Sequence, residues 1–341
     1  MGGAGIVELE AALAPLLDTG GRPDPAWLDI GRQWSAAVWA RADALGPAPL
    51  TPEAIERGLA LAARPVFICG AHRSGTSLVR NRLDGHPALA VLPSEGTFYT
   101  NLEQRLAGLS RREQAAEMGQ EWLRRFVNPS SQPPFWLLGR SSAEGSPYVE
   151  FARRLGAWWS VPDGRRLWPL VAVALAWAGR GDLAGVERWV EKTPTNEHHL
   201  ARLWGEFPQA KVIHVIRRPE DALASHKALM GGRWRPGRAV AAIYRDLGRS
   251  LRIAVAQTPS DRYLLLRYED LVGQAEETSR RLAEFLDIAP LLSLEQPTVA
   301  GRPVQANTSF AGDRERPALT RLERTILAAA CGSAAVRLGY D

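Results

Sequence analysis

Residues 70–77 have the types and spacing of an anion-binding loop. They read Gly-Ala-His-Arg-Ser-Gly-Thr-Ser and follow a short apolar run. Gly70 and Gly75 have the G-x-x-x-x-G spacing of loops whose backbone N–H groups, with a helix N-terminus, bind phosphate. Thr76 occupies the position where nucleoside triphosphatases carry the lysine that reaches the β- and γ-phosphates. With Arg73 as its strong cation, the loop suits an anion but is poorly equipped for a magnesium triphosphate.

Three further charged residues follow short apolar runs that we predict to be strands: Glu95, Lys192 and Arg217. The carboxyl ends of parallel strands meet at one edge of a sheet, where ligands bind. We therefore expect these side chains at the same edge as the loop. Ser225 lies eight residues after Arg217 in a predicted helix, close enough to share one anion with it. The pattern predicts two anion sites that flank a crevice the size of a nucleotide.

Lysine is rare in this chain. Of the 42 basic residues, only Lys192, Lys211 and Lys227 are lysine. A compact ammonium and a planar guanidinium are not interchangeable at a site that needs one of them. Because the composition favours arginine so strongly, Lys192 in the segment Glu-Lys-Thr-Pro is a candidate functional cation.

The elements that must position these residues alternate between strands and helices. The predicted strands are 66–69, 88–92, 189–191, 211–216 and 263–266. The predicted helices are 6–17, 25–41, 52–63, 76–84, 196–207, 220–230, 239–257, 275–286 and one near 318–331. This alternation predicts an α/β fold with a P-loop-like parallel sheet flanked by helices. Outside the alternating part, we predict an N-terminal helical extension over 1–64 and a helical insertion over 98–185. The insertion is rich in tryptophan, since seven of the 12 tryptophans lie between 122 and 189.

The composition of the chain limits the kinds of molecule that we expect it to bind. The net charge of +5 could indicate nucleic-acid binding, but no basic run exceeds two residues and no nucleic-acid module is recognisable. We find no apolar run long enough to span a membrane and no secretory signal. Cys69 and Cys331 have no metal-ligand spacing and lie in apolar surroundings, which is typical of free core thiols. We therefore expect a cytoplasmic protein that acts on small molecules and binds no metal.

Taken together, these segments resemble the sulfotransferases that use 3′-phosphoadenosine-5′-phosphosulfate (PAPS). Residues 72–77 resemble the element that binds the 5′-phosphosulfate, and residues 212–225 resemble the element that binds the 3′-phosphate. Tyr268 in Arg-Tyr-Glu-Asp-Leu is similar to the family's tyrosine near the adenine. The resemblance covers roughly residues 65–95 and 187–287. It implies these donor-binding residues: Arg73, Ser74, Gly75, Thr76, Ser77, Arg217, Ser225 and Tyr268.

The resemblance also implies a reaction, in-line transfer of the sulfuryl group of PAPS to a hydroxyl of a small-molecule acceptor without a bridging metal. Arg73 and Lys192 would then stabilise the charge on the transferred group and the leaving oxygen. We expect residues 65–341 to form the sulfotransferase domain, with the insertion 98–185 on the acceptor side. The acceptor itself, whether a secondary metabolite, a sugar or a lipid, stays open, as does the oligomeric state.

The catalytic base needs a separate argument. A common form of the family has Lys-Thr-His, whose histidine is the base, but here that position is Pro194. Another branch, which includes the tyrosylprotein sulfotransferases, uses a glutamate shortly after the loop. Glu95 matches that glutamate with a shift of one residue, and we favour it as the base, with His198 and His199 as rivals.

Two other functions fit parts of the same pattern. A P-loop kinase of small metabolites would use the glycine loop, although Thr76 in place of lysine argues against it. A non-catalytic nucleotide-binding protein of this fold would keep the loop without a need for Glu95.

Overall fold

The fold is given by a computed structural model that describes residues 5–17, 25–127, 136–139, 147–161, 168–290, 296–299, 302–303 and 317–340. Its centre is a parallel five-stranded sheet in the order β2-β3-β1-β4-β5. The strands are β1 (Pro65–Cys69), β2 (Leu89–Val91), β3 (Arg188–Lys192), β4 (Lys211–Ile216) and β5 (Tyr263–Arg267). A short antiparallel pair is formed by β6 (Thr298–Val299) and β7 (Arg302–Pro303).

The register of the sheet places the ends of three strands within two residues of one another. In parallel pairs, Cys69 of β1 lies opposite His214 of β4, and Ile216 lies opposite Arg267 of β5. All five residues of β1 are buried, as expected for a parallel strand covered on both faces by helices. The segments that follow β1, β4 and β5 therefore begin at one edge of the sheet.

Fourteen α-helices are described, together with a π-helical turn (Phe98–Leu102) and two 3₁₀ helices (Pro194–His199 and Gly231–Arg233). The first seven are α1 (Ile6–Leu17), α2 (Pro25–Leu45), α3 (Pro52–Ala62), α4 (Thr76–Leu83), α5 (Glu103–Leu106), α6 (Arg111–Phe126) and α7 (Pro147–Trp159). The others are α8 (Leu170–Arg180), α9 (Leu200–Glu206), α10 (Pro219–Met230), α11 (Arg238–Ala256), α12 (Tyr268–Gly273), α13 (Ala275–Leu286) and α14 (Arg321–Arg337).

The predicted α/β class is confirmed, and the bounds of most elements differ from prediction by one to four residues. One difference has a clear cause. The helix expected over 196–207 is divided into the 3₁₀ helix and α9, because the side chains of Asn196 and Glu197 turn inward to hydrogen-bond with Glu191 and with the N–H of Gly70.

The chain forms two compact units: Met1–Pro65 with Pro87–Trp189, and Val66–His86 with Val190–Asp341. In the first unit, tryptophans build the core between helices. Six of the seven tryptophans between 122 and 189 are buried: Trp122, Trp136, Trp158, Trp159, Trp168 and Trp189. Trp34 of α2 meets Tyr148 of α7 edge to face, with 5.1 Å between ring centroids.

Two helical glycines make room for these large rings. A Cβ atom on Gly58 of α3 would lie 1.9 Å from Trp158, and one on Gly119 of α6 would lie 2.1 Å from Trp39. Indole rings are rigid and have no flexible end that could move away. The close approach of these helices therefore depends on the absence of a side chain at both positions.

We expect Gly119→Ala to destabilise the protein by about 2 kcal/mol, because the added methyl group overlaps the Trp39 ring. The matched control is Gly156→Ala in α7, where no atom lies within 4 Å of the added Cβ. The control should gain about 0.5–1 kcal/mol from the higher helix propensity of alanine. Urea unfolding followed by tryptophan fluorescence measures both changes; equal effects of the two substitutions would contradict this account of the packing.

Candidate anion-binding site

The loop between β1 and α4 takes its shape from two glycines. Gly70 has φ of 135°, and a Cβ atom there would lie 2.1 Å from the carbonyl oxygen of Val215 in β4. Gly75 has φ of 99°, and its Cβ atom would lie 2.4 Å from the ring of Tyr268. Only glycine combines these backbone angles with such close neighbours. The loop is therefore pressed against β4 at one end and against Tyr268 at the other.

The head of α4 completes the loop. Thr76 and Ser77 are the first residues of this helix, so the helix's own hydrogen bonds do not use their N–H groups. Ser74 is buried, and its N–H group donates to the carbonyl oxygen of Ala71 at 3.1 Å. These positions have the geometry in which a helix N-terminus binds an anion.

Arg73 lies in the middle of the loop and has a left-handed backbone, with φ of 71°. Its Nε donates to Oγ of Ser225 in α10 at 2.9 Å, and Arg217 donates to its carbonyl oxygen at 3.1 Å. A non-glycine residue adopts such a φ only where its surroundings enforce it. The contacts with Arg217 and Ser225 supply that constraint, so the loop and the segment after β4 form one structure.

Arg217 is buried, whereas the neighbouring Arg218 is exposed. The guanidinium carbon of Arg217 lies 4.1 Å from the centroid of the Tyr268 ring, a cation–π contact. Burial, followed by the positive charge of Arg217, lowers the pKa of Arg73. Two guanidinium groups held this close repel each other, and an anion bound between them would offset that cost. The structure thus brings Arg73, Gly75, Arg217, Ser225 and Tyr268 together.

Lys192 is the last residue of β3, and it is buried. The turn after it is held by Glu191, which accepts hydrogen bonds from Thr193 Oγ1 and from Nδ2 of Asn196, the latter at 2.6 Å. The N–H of Thr193 donates to the carbonyl oxygen of Ile68 in β1 at 3.2 Å. The backbone that carries Lys192 is therefore tied to the strand that leads into the glycine loop.

Beneath the loop lies a set of buried polar residues that sequence reasoning missed. Glu197 Oε2 accepts from the N–H of Gly70 at 3.1 Å, and Ser250 Oγ accepts from the N–H of Ala71 at 3.1 Å. Glu197 and Ser250 follow Gly70 and Ala71 by 127 and 179 residues, so no local pattern could reveal these contacts.

His198 and His199, the two rival candidates for the base, belong to the 3₁₀ helix that also carries Glu197. His198 Nε2 lies 3.8 Å from Oδ1 of Asp246, and His72 Nδ1 lies 3.6 Å from Oδ2 of the same carboxylate. Burial lowers the pKa of His198, with the charge of Arg249 as the next cause. His199 ends the 3₁₀ helix Pro194–His199.

Glu95 belongs to the first compact unit and is partly exposed. Its backbone is held by Arg125 of α6, which donates to the carbonyl oxygens of Glu95 and Gly96 and, at 3.0 Å, to Oγ1 of Thr97. Arg125 is in turn paired with Glu121 at 3.0 Å. The position of the Glu95 backbone thus depends on a partly buried ion pair.

Comparison with known proteins identifies the family. A family model described as "Sulfotransferase family" matches residues 65–291, which is about two thirds of the chain. The chain belongs to the sulfotransferase family. This sulfotransferase is also 36% identical over 108 residues to the omega-hydroxy-beta-dihydromenaquinone-9 sulfotransferase Stf3 of Mycobacterium bovis and to that of Mycobacterium tuberculosis. The matched segment covers 28% of this chain and 28% of each relative.

Solved structures of other sulfotransferases are similar at lower identity. The sulfotransferase domain of the Synechococcus PCC 7002 olefin synthase is 21% identical with a TM-score of 0.48, and 82% of this chain and 95% of that chain are covered. Sulfotransferase STF9 from Mycobacterium avium is 16% identical with a TM-score of 0.46, and 100% of this chain and 93% of that chain are covered.

The described residues of this sulfotransferase contain neither a metal-binding cluster nor a membrane-spanning helix. Among them, no group of three or more His, Cys, Asp or Glu side chains is placed to hold a metal ion. None of the helices in the described part of the chain combines the length and apolar character that crossing a membrane requires.

The ion pair behind Glu95 predicts a pH-dependent stability. Burial raises the pKa of Glu121, but Arg125 and Arg105 outweigh that effect and lower it to about 2, against an unfolded value of about 4.3. The stabilisation is therefore complete above about pH 4.3 and is lost as the pH falls toward 2. We expect Glu121→Gln to cost about 1–3 kcal/mol at pH 7 and about half as much at pH 3.

Urea unfolding at the two pH values measures this difference. The matched control is Glu117→Gln on the same helix, because the side chain of Glu117 is 36% exposed where that of Glu121 is 18% exposed. An exposed ion pair contributes less than about 1 kcal/mol, so the control should have a small effect. A cost of Glu121→Gln that is equal at pH 7 and pH 3 would show that the ion pair is not its source.

Proposed function

We propose that this sulfotransferase uses PAPS and transfers its sulfuryl group to a hydroxyl of a small-molecule acceptor. The observation that carries the proposal is the convergence of Arg73, Arg217, Ser225 and Tyr268 on the glycine loop. A nucleotide with phosphate groups at both its 3′ and 5′ positions needs two anion sites and a surface for its base. We assign one anion site to the glycine loop with Arg73, the other to Arg217 with Ser225, and the surface for the base to Tyr268.

The residues present fit such a donor. Arg217 and Ser225 would hold the 3′-phosphate, and the N–H groups of residues 75–77 with Arg73 would hold the 5′-phosphosulfate. Tyr268 would lie against the adenine, with Arg217 stacked on its ring. Thr76 in place of a P-loop lysine favours a donor that needs no magnesium.

The donor supplies the sulfuryl group. The residues of the chain bind and orient the two substrates and accept the proton of the acceptor hydroxyl. Arg73 and Lys192 stabilise negative charge on the transferred group and on the oxygen that leaves, because fixed cations in a dry site act strongly on developing charge. Glu95 takes the proton of the acceptor hydroxyl as the new oxygen–sulfur bond forms and the old one breaks. Glu95 is favoured over His198 and His199 because its segment matches the glutamate branch of the family.

For the acceptor, we propose a compound with an apolar body and a hydroxyl group. The support is the name of the curated relatives, which act on a hydroxylated menaquinone derivative, although the match covers 28% of their length. We assign the protein to the cytoplasm because Cys69 and Cys331 are both free and buried thiols. A panel of hydroxylated lipids, sugars and phenols with PAPS labelled in the sulfuryl group tests the acceptor.

The donor site is tested by Arg217→Met. Hydrogen bonds from a charged group contribute about 1.5–3 kcal/mol, so we expect affinity for 3′-phosphoadenosine-5′-phosphate to fall by about 10- to 100-fold. Affinity for adenosine 5′-phosphate, which has no 3′-phosphate, should change much less. The matched control is Arg218→Met, because Arg218 is the exposed neighbour and should change neither affinity by more than about twofold.

Calorimetry measures both nucleotides on the three proteins. Equal weakening of the two nucleotides by Arg217→Met would show that Arg217 does not bind the 3′-phosphate. An unsubstituted protein that binds magnesium ATP and not the 3′-phosphorylated nucleotide would replace the proposal with a kinase.

The chemical step is tested by Lys192→Met, Glu95→Gln and His198→Asn. We expect kcat to fall about 100-fold or more for the first two, which remove an electrostatic stabiliser and a base, with nucleotide affinity changed by less than about fivefold. His198→Asn should lower kcat by less than about threefold. Lys227→Met is the matched lysine control, because Lys227 pairs with Glu323 at 2.9 Å. A larger loss of kcat for His198→Asn than for Glu95→Gln would move the base to His198.

A further inference from the structure

The first two peptide N–H groups of the glycine loop are held by side chains from distant parts of the chain. Gly70 N–H is shared between the carbonyl oxygen of Pro194 at 2.9 Å and Glu197 Oε2 at 3.1 Å, and Ala71 N–H donates to Ser250 Oγ at 3.1 Å. Glu197 is 2% exposed and Ser250 is 2% exposed. These contacts set the direction in which the loop leaves β1.

The hydrogen bonds continue from Ser250 into the sheet. His214 Nε2 lies 3.0 Å from Ser250 Oγ, and His214 Nδ1 lies 2.7 Å from the Tyr263 hydroxyl. Burial lowers the pKa of His214 to about 3, so at neutral pH its ring donates one hydrogen bond and accepts one. Ser250 also interacts with the carboxylate of Glu197.

The neutral His214 ring bridges Ser250 and Tyr263, donating one of the two hydrogen bonds and accepting the other. Burial raises the pKa of Tyr263, so its hydroxyl stays protonated. The series runs from Tyr263 through His214 to Ser250, which with Glu197 holds the first two N–H groups of the loop.

The charge of Glu197 sits in surroundings that favour its neutral form. Burial raises its pKa to about 7, and the carboxylate of Asp246 in α11 adds to that shift against the hydrogen bonds from Gly70 and Ser250. The titratable groups that face it from other elements are Cys69 on β1, His214 on β4, Tyr263 on β5 and Asp246 on α11, and His198 follows it in the same 3₁₀ helix.

We propose that Glu197 is a positioning residue of the donor site: with Ser250 it orients the loop N–H groups, and it takes up a proton when the anionic donor binds. This inference rests on the proposed function, because it needs an anion in the glycine loop. The proton comes from the solvent and adds to the Glu197 carboxylate, whose negative charge would otherwise oppose the charge of the bound donor. Protonated Glu197 still accepts from Gly70 through its carbonyl oxygen.

Proton uptake by Glu197 makes the affinity for the donor depend on pH. An anion bound in the loop favours the neutral form of Glu197 further, so proton uptake is largest between the two pKa values, at and just above pH 7. Donor affinity should therefore fall as the pH rises from 7 to 8. Glutamine at this position accepts the same hydrogen bond without a charge, so Glu197→Gln should remove this part of the pH dependence.

Calorimetry of the full chain with 3′-phosphoadenosine-5′-phosphate tests the proposal. Titrations at pH 7.5 in two buffers of different ionisation enthalpy give the number of protons taken up. We expect the unsubstituted protein to take up about half a proton more than Glu197→Gln, with affinities of the two within about threefold. Protons taken up by the nucleotide's own phosphate, or by His72, His198 and His226, are common to both proteins and cancel in the difference.

Three further variants separate the effect of Glu197 on the orientation of the loop from the effect of its charge. Glu197→Ala and Ser250→Ala should each weaken nucleotide binding about tenfold and raise the KM of PAPS more than they lower kcat. In the first variant Gly70 N–H keeps only the Pro194 carbonyl oxygen as acceptor, and in the second Ala71 N–H loses the Ser250 hydroxyl. Glu206→Gln in α9, a carboxylate paired with Arg202 at 2.7 Å, is the matched control and should resemble the unsubstituted protein.

The charge role, the positioning role and the proposed function each have a result that would overturn them. Equal proton uptake by the unsubstituted protein and Glu197→Gln would overturn the charge role, even if the alanine variant fails to fold. Unchanged affinity in both alanine variants would overturn the positioning role. No nucleotide binding by the unsubstituted protein would instead refute the proposed function.

Discussion

The close approach of Gly70 to Val215 is the constraint on which the site depends. The two backbones are so near that a Cβ atom at Gly70 would lie 2.1 Å from the Val215 carbonyl oxygen. This contact sets the point at which the chain leaves β1, and so the path of the loop toward α10. Arg73 then meets Ser225 at 2.9 Å, and its left-handed backbone is retained by the contact with Arg217. A wider spacing between β1 and β4 would separate these residues.

Charge is distributed unevenly around this loop. Arg73 and Arg217 form the candidate anion site. Two buried carboxylates hold the backbone near it: Glu191 holds the turn after β3, and Glu197 holds the start of the glycine loop. A buried carboxylate is stable only where hydrogen bonds satisfy it. Glu191 accepts hydrogen bonds from Thr193 and Asn196, and one oxygen of Glu197 accepts from Gly70, so these acids hold the backbone around the candidate anion site.

Much of the fold could be predicted from sequence because its signals are local. Buried strands are short apolar runs, and the ends of β4 and α13 agree with the prediction to the residue. The glycine spacing and the step from Arg217 to Ser225 identified a loop and a helix that the structure brings together. The 3₁₀ helix at Pro194–His199 was not predicted, because its Glu197 turns inward to accept from the N–H of Gly70, which lies 127 residues away in the sequence.

The sequence by itself determined the order in which the strands of the sheet follow one another along the chain, the glycine spacing of the loop and the place of Arg73 within it, since each is encoded within a few neighbouring residues. Only the tertiary structure decided what lies beneath the loop. Glu197, Ser250 and His214 are ordinary polar residues in their own segments, and they become one network because the parallel sheet and α11 bring positions 36 to 179 residues apart into contact. The physical reason is burial: away from water, each polar group must find its partner within the fold.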